Sequence, residues 1–94
     1  MESVVYQLGE SVAKLHNNHI IHGDLTSSNI MINLEKEEKI FLIDFGLSFI
    51  SENTENKAVD LFVFEKSLYC EKNSSRFADE LLKIFWVGYK KYSN

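Results

Sequence analysis

Residues 22–29 read HGDLTSSN, and after the fourteen residues 30–43 the chain reads DFG at residues 44–46. We refer to these as the HGD loop (residues 22–29) and the DFG segment (residues 44–46). Two short β-branched runs lie between them, at residues 30–32 and 40–43, separated by a charged segment at residues 35–39. This pattern predicts a β-hairpin. Because antiparallel strands return to the edge at which they started, we expect Asn29 and Asp44 to lie within a few ångström of each other.

The side chains of Asp24, Asn29 and Asp44 offer a set of oxygen ligands. Mg²⁺ takes one or two carboxylates, several waters and phosphate oxygens in such sites. Phosphoryl transfer needs a positioned metal, positioned phosphates and a group that orients the attacking oxygen. We assign Asn29 and Asp44 to the metal and Asp24 to the nucleophile, and we expect Gly46 to allow the sharp turn that aims Asp44. Taken singly, each residue could instead cap a turn, but their ordered combination favours the catalytic interpretation.

Helical periodicity surrounds the hairpin. A first helix ends at Asn17-Asn18, and residues 57–69 predict a second helix that is buried on most of its circumference, because apolar residues leave it little polar face. A polar break at residues 71–75 precedes a last helix. The residues expected on the packed sides of the first and last helices are Val5, Leu8, Val12, Leu15, Phe77, Leu81, Ile84, Phe85 and Gly88. The predicted class is therefore α+β, mainly α, with one hairpin.

The composition excludes several function classes. The 94 residues, 45% hydrophobic and 26% charged, are typical of one globular domain or part of one. The four glycines are well separated, which excludes Walker A and GxGxxG nucleotide loops. A net charge of −4 with a single arginine provides no basic stripe for gripping nucleic acid directly. No apolar run reaches the ~18 residues of a membrane span. With no secretory signal and one cysteine, Cys70, we expect an intracellular compartment.

The three histidines, His16, His19 and His22, recur every third residue. This spacing would suit a zinc site, but the helix break at Asn17-Asn18 places them on different faces, and no group of cysteines supports them. We expect His22 to pack and to form hydrogen bonds within the HGD loop instead.

The ordered motifs resemble the C-terminal lobe of the protein-kinase-like fold. His22-x-Asp24 with Asn29 is similar to its catalytic loop, and DFG is similar to its metal-binding loop. Gly23 stands where ordinary protein kinases have Arg, and His-Gly-Asp is shared with the RIO kinases and the aminoglycoside and choline phosphotransferases. The segments HGDLTSSN, FLIDFGLSF, NKAVDLFVFE and GYKKYS resemble the small kinase-like ATPase subunit of the KEOPS complex over almost the whole chain.

The resemblance implies that residues 1–94 form a kinase-like C-terminal lobe without the smaller lobe and without the family's basic C-terminal tail. It implies ATP and Mg²⁺ as cofactors. The implied roles are Asp24 as the catalytic carboxylate, Asn29 and Asp44 as ligands of the metal and its nucleotide, and His22, Gly46 and Asp60 as structural support of the site. For Asp60, the residues leave two alternatives open: burial against backbone N–H groups of the HGD loop, or exposure beside Lys57.

The function that the resemblance implies is that of an atypical serine/threonine kinase or ATPase. It would support threonylcarbamoyl-adenosine modification of tRNA, in the cytoplasm or nucleus. The implied partners are the KEOPS transferase subunit and other KEOPS subunits, with tRNA contacted only indirectly and no membrane. Because the smaller lobe supplies the loop over the phosphates, a lysine and the adenine pocket, we expect this chain by itself to bind ATP and Mg²⁺ only feebly and to expose an apolar cleft wall.

Two other functions stay open. The chain could be a non-catalytic lobe that docks the KEOPS transferase subunit, or a small-molecule phosphotransferase of the aminoglycoside type. Asp60 comes only sixteen positions after Asp44, and the chain has no proline, so a long activation segment ending in Ala-Pro-Glu is excluded. The short segment favours ATP hydrolysis or a narrow substrate over broad recognition of protein substrates.

Overall fold

The computed structural model of the chain describes residues 2–33, 39–71 and 75–93. A single 3-10 turn, Ser27–Asn29, ends the HGD loop. The helices and strands of the described residues are α1 (Glu2–Asn17), β1 (Ile20–Ile21), β2 (Ile30–Asn33), β3 (Lys39–Leu42), β4 (Phe49–Ile50), α2 (Thr54–Glu71) and α3 (Ser75–Tyr92). The predicted mainly helical α+β class is confirmed.

Helices α1 and α3 pack closely against each other and form most of the core. Gly9 and Gly88 permit this approach, because a Cβ at Gly9 would lie 2.2 Å from the Phe85 carbonyl oxygen and one at Gly88 would lie 2.3 Å from the Tyr6 carbonyl oxygen. Most of the predicted packed positions are buried or partly buried, but the prediction for Phe77 is wrong, since its side chain is exposed. The buried stripe of α3 begins one residue later. It comprises Ala78, Leu81, Leu82, Phe85 and Gly88.

Helix α1 ends at Asn17, as predicted. His19, two residues later, adopts a left-handed backbone with φ of 61°, which is the usual conformation just after a helix C-terminus and reverses the chain toward β1. None of the helices within the described ranges combines the length and the apolar character that a bilayer crossing requires.

The predicted hairpin is confirmed in strands β2 and β3. They pair antiparallel, with Ile30 opposite Leu42 and Met31 opposite Phe41. The pairing continues past the strand ends, because the Ile43 N–H donates to the Asn29 carbonyl oxygen at 2.9 Å. The end of the HGD loop and the start of the DFG segment are therefore neighbours. Of the predicted charged segment at residues 35–39, only Lys39 lies within the described residues.

The prediction of a single hairpin missed a second strand pairing. Strand β1 pairs antiparallel with β4, Ile20 opposite Ile50 and Ile21 opposite Phe49, and the Ser51 N–H donates to the His19 carbonyl oxygen at 2.8 Å. Two-residue strands so far apart in sequence leave no local alternation to detect. This pairing ties the chain that follows the DFG segment back to the chain that precedes the HGD loop.

Helix α2 is less buried than the sequence predicts. The prediction that most of its circumference is buried is wrong, because its buried residues are Asp60, Phe64 and Leu68, at positions i, i+4 and i+8. By contrast, Val59 and Phe62 are 58% and 60% exposed. The helix also begins three residues earlier and ends two later than predicted. Within the described residues, α3, β1 and the HGD loop pack against one side of it. Apolar composition does not reveal which side of a helix lacks such neighbours.

Candidate functional site

The buried Asp60 carboxylate, on α2, binds the backbone of the HGD loop. Its side chain is 2% exposed, and its carboxylate accepts hydrogen bonds from the backbone N–H groups of His22 at 2.9 Å and Gly23 at 3.1 Å. Of the two alternatives open for this residue, the structure shows the buried one. Burial raises the pKa of the Asp60 carboxyl, but hydrogen bonds from His16, His22 and Gly23 outweigh it, so the pKa lies below its ordinary value of 3.8. The carboxylate is charged at neutral pH.

His16 is a member of this network that the sequence reasoning missed. Its Nε2 lies 2.9 Å from Asp60 Oδ2, and both side chains are buried. A signal for it was available, since His16 continues the apolar stripe of Leu8 and Val12 on α1. A polar side chain on a buried stripe must find a hydrogen-bond partner, and a buried carboxylate is a strong one.

His22 connects the HGD loop to the chain just before the DFG segment. The Asp24 N–H can only donate, so His22 Nδ1, at 3.1 Å, accepts, and Nε2–H donates to the Ile43 carbonyl oxygen at 2.9 Å. These partners select the neutral Nε2–H tautomer. The Phe45 ring packs on the imidazole with centroids 4.6 Å apart. The two motif loops are thereby held together by one fully buried side chain.

Gly23 occupies a position that only glycine fits without a shift of the backbone. Its φ is +89°, and a Cβ there would lie 2.3 Å from the Leu47 carbonyl oxygen. A side chain is strained in this left-handed region. The arginine that ordinary protein kinases carry at this place would therefore require the HGD loop to move away from Leu47.

Asn29 and Asp24 are in direct contact. Asn29 Nδ2 donates to Asp24 Oδ2 at 3.1 Å and to the Asp24 carbonyl oxygen at 2.9 Å. Both contacts use the amide nitrogen of Asn29, so Oδ1 is the atom that this side chain offers to a cation. The 3-10 turn makes the contact possible because it brings Asn29 back over Asp24.

Asp44 is exposed at the end of the hairpin, next to Asn29 along the strand pairing. Gly46 lies in a turn, which the Ser48 N–H closes on the Phe45 carbonyl oxygen, but the left-handed residue of the DFG segment is Asp44 itself, with φ of 56°. Aspartate enters this region more readily than most residues. The Gly46 N–H instead lies 3.4 Å from Asp44 Oδ1, and a Cβ at Gly46 would meet that oxygen at 3.4 Å. Gly46 thus leaves room for the Asp44 carboxylate.

The donor set of these loops fits a hard divalent cation. The Asp44 carboxylate and the Asn29 amide oxygen are ligands typical of Mg²⁺, which keeps several waters and takes phosphate oxygens. In the described part of the chain, no three His, Cys, Asp or Glu side chains converge on a metal position. His16 and His22 are engaged by Asp60 and Ile43, and His19 lies near Lys57 and Glu52.

Comparison with known proteins identifies similar chains. The sequence profile of the protein kinase domain family matches residues 1–82. The EKC/KEOPS complex subunit BUD32 of Enterocytozoon bieneusi is 44% identical over 88 residues, which cover 94% of this chain and 39% of that protein. The protein of the same name from Encephalitozoon cuniculi is 48% identical over 82 residues, covering 87% of this chain and 37% of that protein.

The chain is also similar to part of a longer protein whose name refers to tRNA modification. The "probable bifunctional tRNA threonylcarbamoyladenosine biosynthesis protein" of Methanocaldococcus jannaschii is 44% identical over 87 residues, covering 93% of this chain and 15% of that protein. The chain thus spans less than two fifths of the length of each of these three relatives.

Proposed function

The chain belongs to the protein kinase domain family. On that basis we propose that it carries the catalytic and metal-binding loops of an ATP- and Mg²⁺-dependent enzyme. From the names of its relatives we propose that this enzyme supports threonylcarbamoyladenosine modification of tRNA. The reaction is phosphoryl transfer or ATP hydrolysis, of the atypical serine/threonine kinase type. The partners proposed are the KEOPS transferase subunit and the other KEOPS subunits, and the compartment is the cytoplasm or nucleus.

The observation that carries this proposal is the meeting of three motif residues at one edge of the hairpin. Asp24 contacts Asn29, and the pairing of Ile43 with Asn29 brings Asp44 to the same place. Asn29 and Asp44 would hold Mg²⁺ with the nucleotide phosphates. The ion, when bound, would neutralise the negative charge that develops on the phosphoryl oxygens. Asp24 would accept a hydrogen bond from the attacking hydroxyl or water, which orients its oxygen, and would take up its proton as that oxygen attacks the phosphorus.

The names of the relatives support the pathway part of the proposal. EKC/KEOPS subunits and threonylcarbamoyladenosine biosynthesis proteins recur among them. These names disfavour the aminoglycoside-type phosphotransferase, although it shares the His-Gly-Asp motif.

A second candidate, a non-catalytic lobe that binds the transferase subunit, has its own supporting observation. The apolar side chains of Met31 and Phe41, directly opposite each other on the hairpin, and of Val59 and Phe62 on α2, are exposed. Exposed apolar groups of this kind are typical of surfaces that another chain covers.

One experiment separates the two candidates. The protein is combined with the other KEOPS subunits, tRNA, ATP and Mg²⁺, and both phosphate release and the modified nucleoside are measured. The enzymatic proposal expects both products to depend on this protein. A complex that assembles but releases no phosphate would instead support the binding lobe.

The site as formed by this chain should bind ATP·Mg²⁺ only feebly. Asp44 and the rest of the DFG segment are exposed, so each charge contact to the nucleotide is screened by water and is worth about 1 kcal/mol rather than several. Ligand sites normally bury most of the ligand, which an open edge cannot do. Titration calorimetry on the 94-residue chain with ATP and Mg²⁺ measures this. Micromolar binding that disappears in Asp44→Asn would contradict the prediction.

A further inference from the structure

A hydrogen-bonded chain of side chains continues past Asp60, away from the HGD loop. Tyr89 Oη on α3 lies 2.8 Å from His16 Nδ1, and His16 Nε2 lies 2.9 Å from Asp60 Oδ2. Asp60 in turn accepts from the backbone N–H groups of His22 and Gly23. Tyr89 lies beyond residues 1–82, the part that the protein kinase profile matches.

We propose that Tyr89 is a positioning residue for the HGD loop: its hydroxyl donates to His16 Nδ1, selects the Nε2–H tautomer of His16, and so directs a ring N–H at Asp60. The tyrosine never touches the reacting groups in this scheme. It acts through His16 and Asp60 on the backbone that carries Asp24.

The direction of each hydrogen bond follows from the chemistry of the groups. A charged Asp60 carboxylate can only accept, so His16 Nε2 carries the proton of that contact. In a neutral imidazole the other nitrogen, Nδ1, is then an acceptor, and it needs a donor because His16 is buried. The Tyr89 hydroxyl is the donor within reach. Burial raises the pKa of Tyr89; a hydrogen bond with the Ser93 side chain opposes this shift and the charge of Asp60 adds to it, so the pKa lies above its ordinary value and the phenol keeps its proton.

The packing holds the Tyr89 ring in the required place. Its plane stacks on Phe85 with centroids 6.2 Å apart and meets Trp86 edge-on at 5.7 Å. The ring also meets His16 nearly edge-on, at 5.7 Å. The preceding residue, Gly88, lets α3 approach α1 closely enough for the hydroxyl to reach His16. The position of the hydroxyl is therefore set by the helix packing and not by a mobile side chain.

Nitrogen NMR on the wild-type chain gives the first test. Long-range ¹H–¹⁵N correlation spectra distinguish protonated from unprotonated ring nitrogens. We expect His16 to show a protonated Nε2 and an unprotonated Nδ1. A proton on Nδ1, whether in the other tautomer or in an imidazolium, would overturn the proposal, and this measurement requires no variant.

The variant Tyr89→Phe gives the second test, with Tyr92→Phe as the matched control. Tyr92 is one turn away on the same helix and exposed. Tyr89→Phe keeps the ring and removes only the hydroxyl, so we expect the ring nitrogens of His16 and the amide protons of His22 and Gly23 to shift. Tyr92→Phe should leave all of them in place. Amides of His22 and Gly23 that do not respond to Tyr89→Phe would show that Tyr89 only packs.

The third readout rests on the proposed function and uses the intact protein. Tyr89→Phe should lower kcat for ATP turnover about threefold to tenfold while KM for ATP changes little, because one hydrogen bond that positions the loop is lost and no contact to the nucleotide is removed. If the NMR results hold and no turnover is found in the wild type, the proposed function fails and the positioning role stands. An unchanged kcat in an active enzyme would overturn the positioning role.

Discussion

Replacing Asp44 with asparagine is expected, on the proposed function, to reduce ATP turnover on the order of 100-fold or more, and Asp24→Asn should have an effect of similar size. Asparagine has the shape of aspartate but no charge. At position 44 it would weaken the ligand of the cation, and at position 24 it would remove the group that accepts the proton of the attacking oxygen. Steady-state phosphate release with ATP and Mg²⁺ measures both effects.

The fold should survive both substitutions. Asp44 is exposed, and the described side-chain contact of Asp24 is with Asn29 on the same loop, so neither carboxylate supports the core. The melting temperature and the binding of the proposed KEOPS partners should therefore match the wild type. Thr26→Ala is the matched control within the HGD loop. The described contact of the Thr26 hydroxyl is with Ser28, so turnover should fall far less. Near-wild-type turnover in either aspartate variant would rule out the role assigned to that residue.

The second large effect concerns stability. Asp60→Asn should lower the free energy of unfolding of the chain by about 3 kcal/mol at pH 7. The wild-type carboxylate is buried and accepts from three donors, on His16, His22 and Gly23. An amide has one acceptor oxygen, so its NH₂ group would face at least one of these donors. Urea unfolding followed by circular dichroism measures the loss.

The pH dependence of this difference has a definite sign. The pKa of Asp60 is lower in the folded chain than its ordinary value of 3.8, so the charged carboxylate stabilises the fold above that value. This contribution is lost as the pH falls below about 4 and through the folded-state pKa. The difference in the free energy of unfolding between wild type and Asp60→Asn should therefore be largest at neutral pH and decrease as the pH falls below about 4.

Asp79→Asn is the control for this experiment, since Asp79 is exposed on α3 and its described hydrogen bond, from the Tyr69 hydroxyl, can still be accepted by the oxygen of an asparagine. Its effect should stay within about 0.5 kcal/mol of the wild type. If Asp60→Asn were equally mild at pH 7, the buried network would not hold the HGD loop as described.

The local pattern of the sequence was sufficient for the hairpin and for the motif loops at its ends. The two short β-branched runs predict strands β2 and β3, and antiparallel pairing then requires Asn29 and the start of the DFG segment to be neighbours. The periodicity of α1 and the break at Asn17-Asn18 likewise specify a helix and its end. These features depend on residues close together in the chain, and local rules describe such residues well.

The support of the site depended on contacts between distant residues. Sequence reasoning left Asp60 open between burial and exposure, and the HGD loop decided it, because two backbone N–H groups of that loop point at the carboxylate. Sequence reasoning considered His16 only as a metal ligand. In the structure, Asp60 on α2 contacts the Nε2 of His16, and Tyr89 on α3 contacts its Nδ1. A polar residue on an apolar stripe indicates that a partner exists without indicating which one.

The exposure of apolar side chains on α2 and the backbone conformation of Asp44 could also be learned only from the tertiary structure. An apolar helix predicts burial only if neighbours cover each side, and in the described residues Val59 and Phe62 are not covered. The turn at the DFG segment takes its left-handed residue at Asp44 and not at the glycine, because the hairpin end and the β1–β4 pairing constrain the backbone on both sides. The sequence by itself determined which residues are the candidates for the chemistry, through local spacing and side-chain type. The tertiary structure decided which groups hold them in place, because burial and hydrogen-bond partners arise only when distant segments pack together.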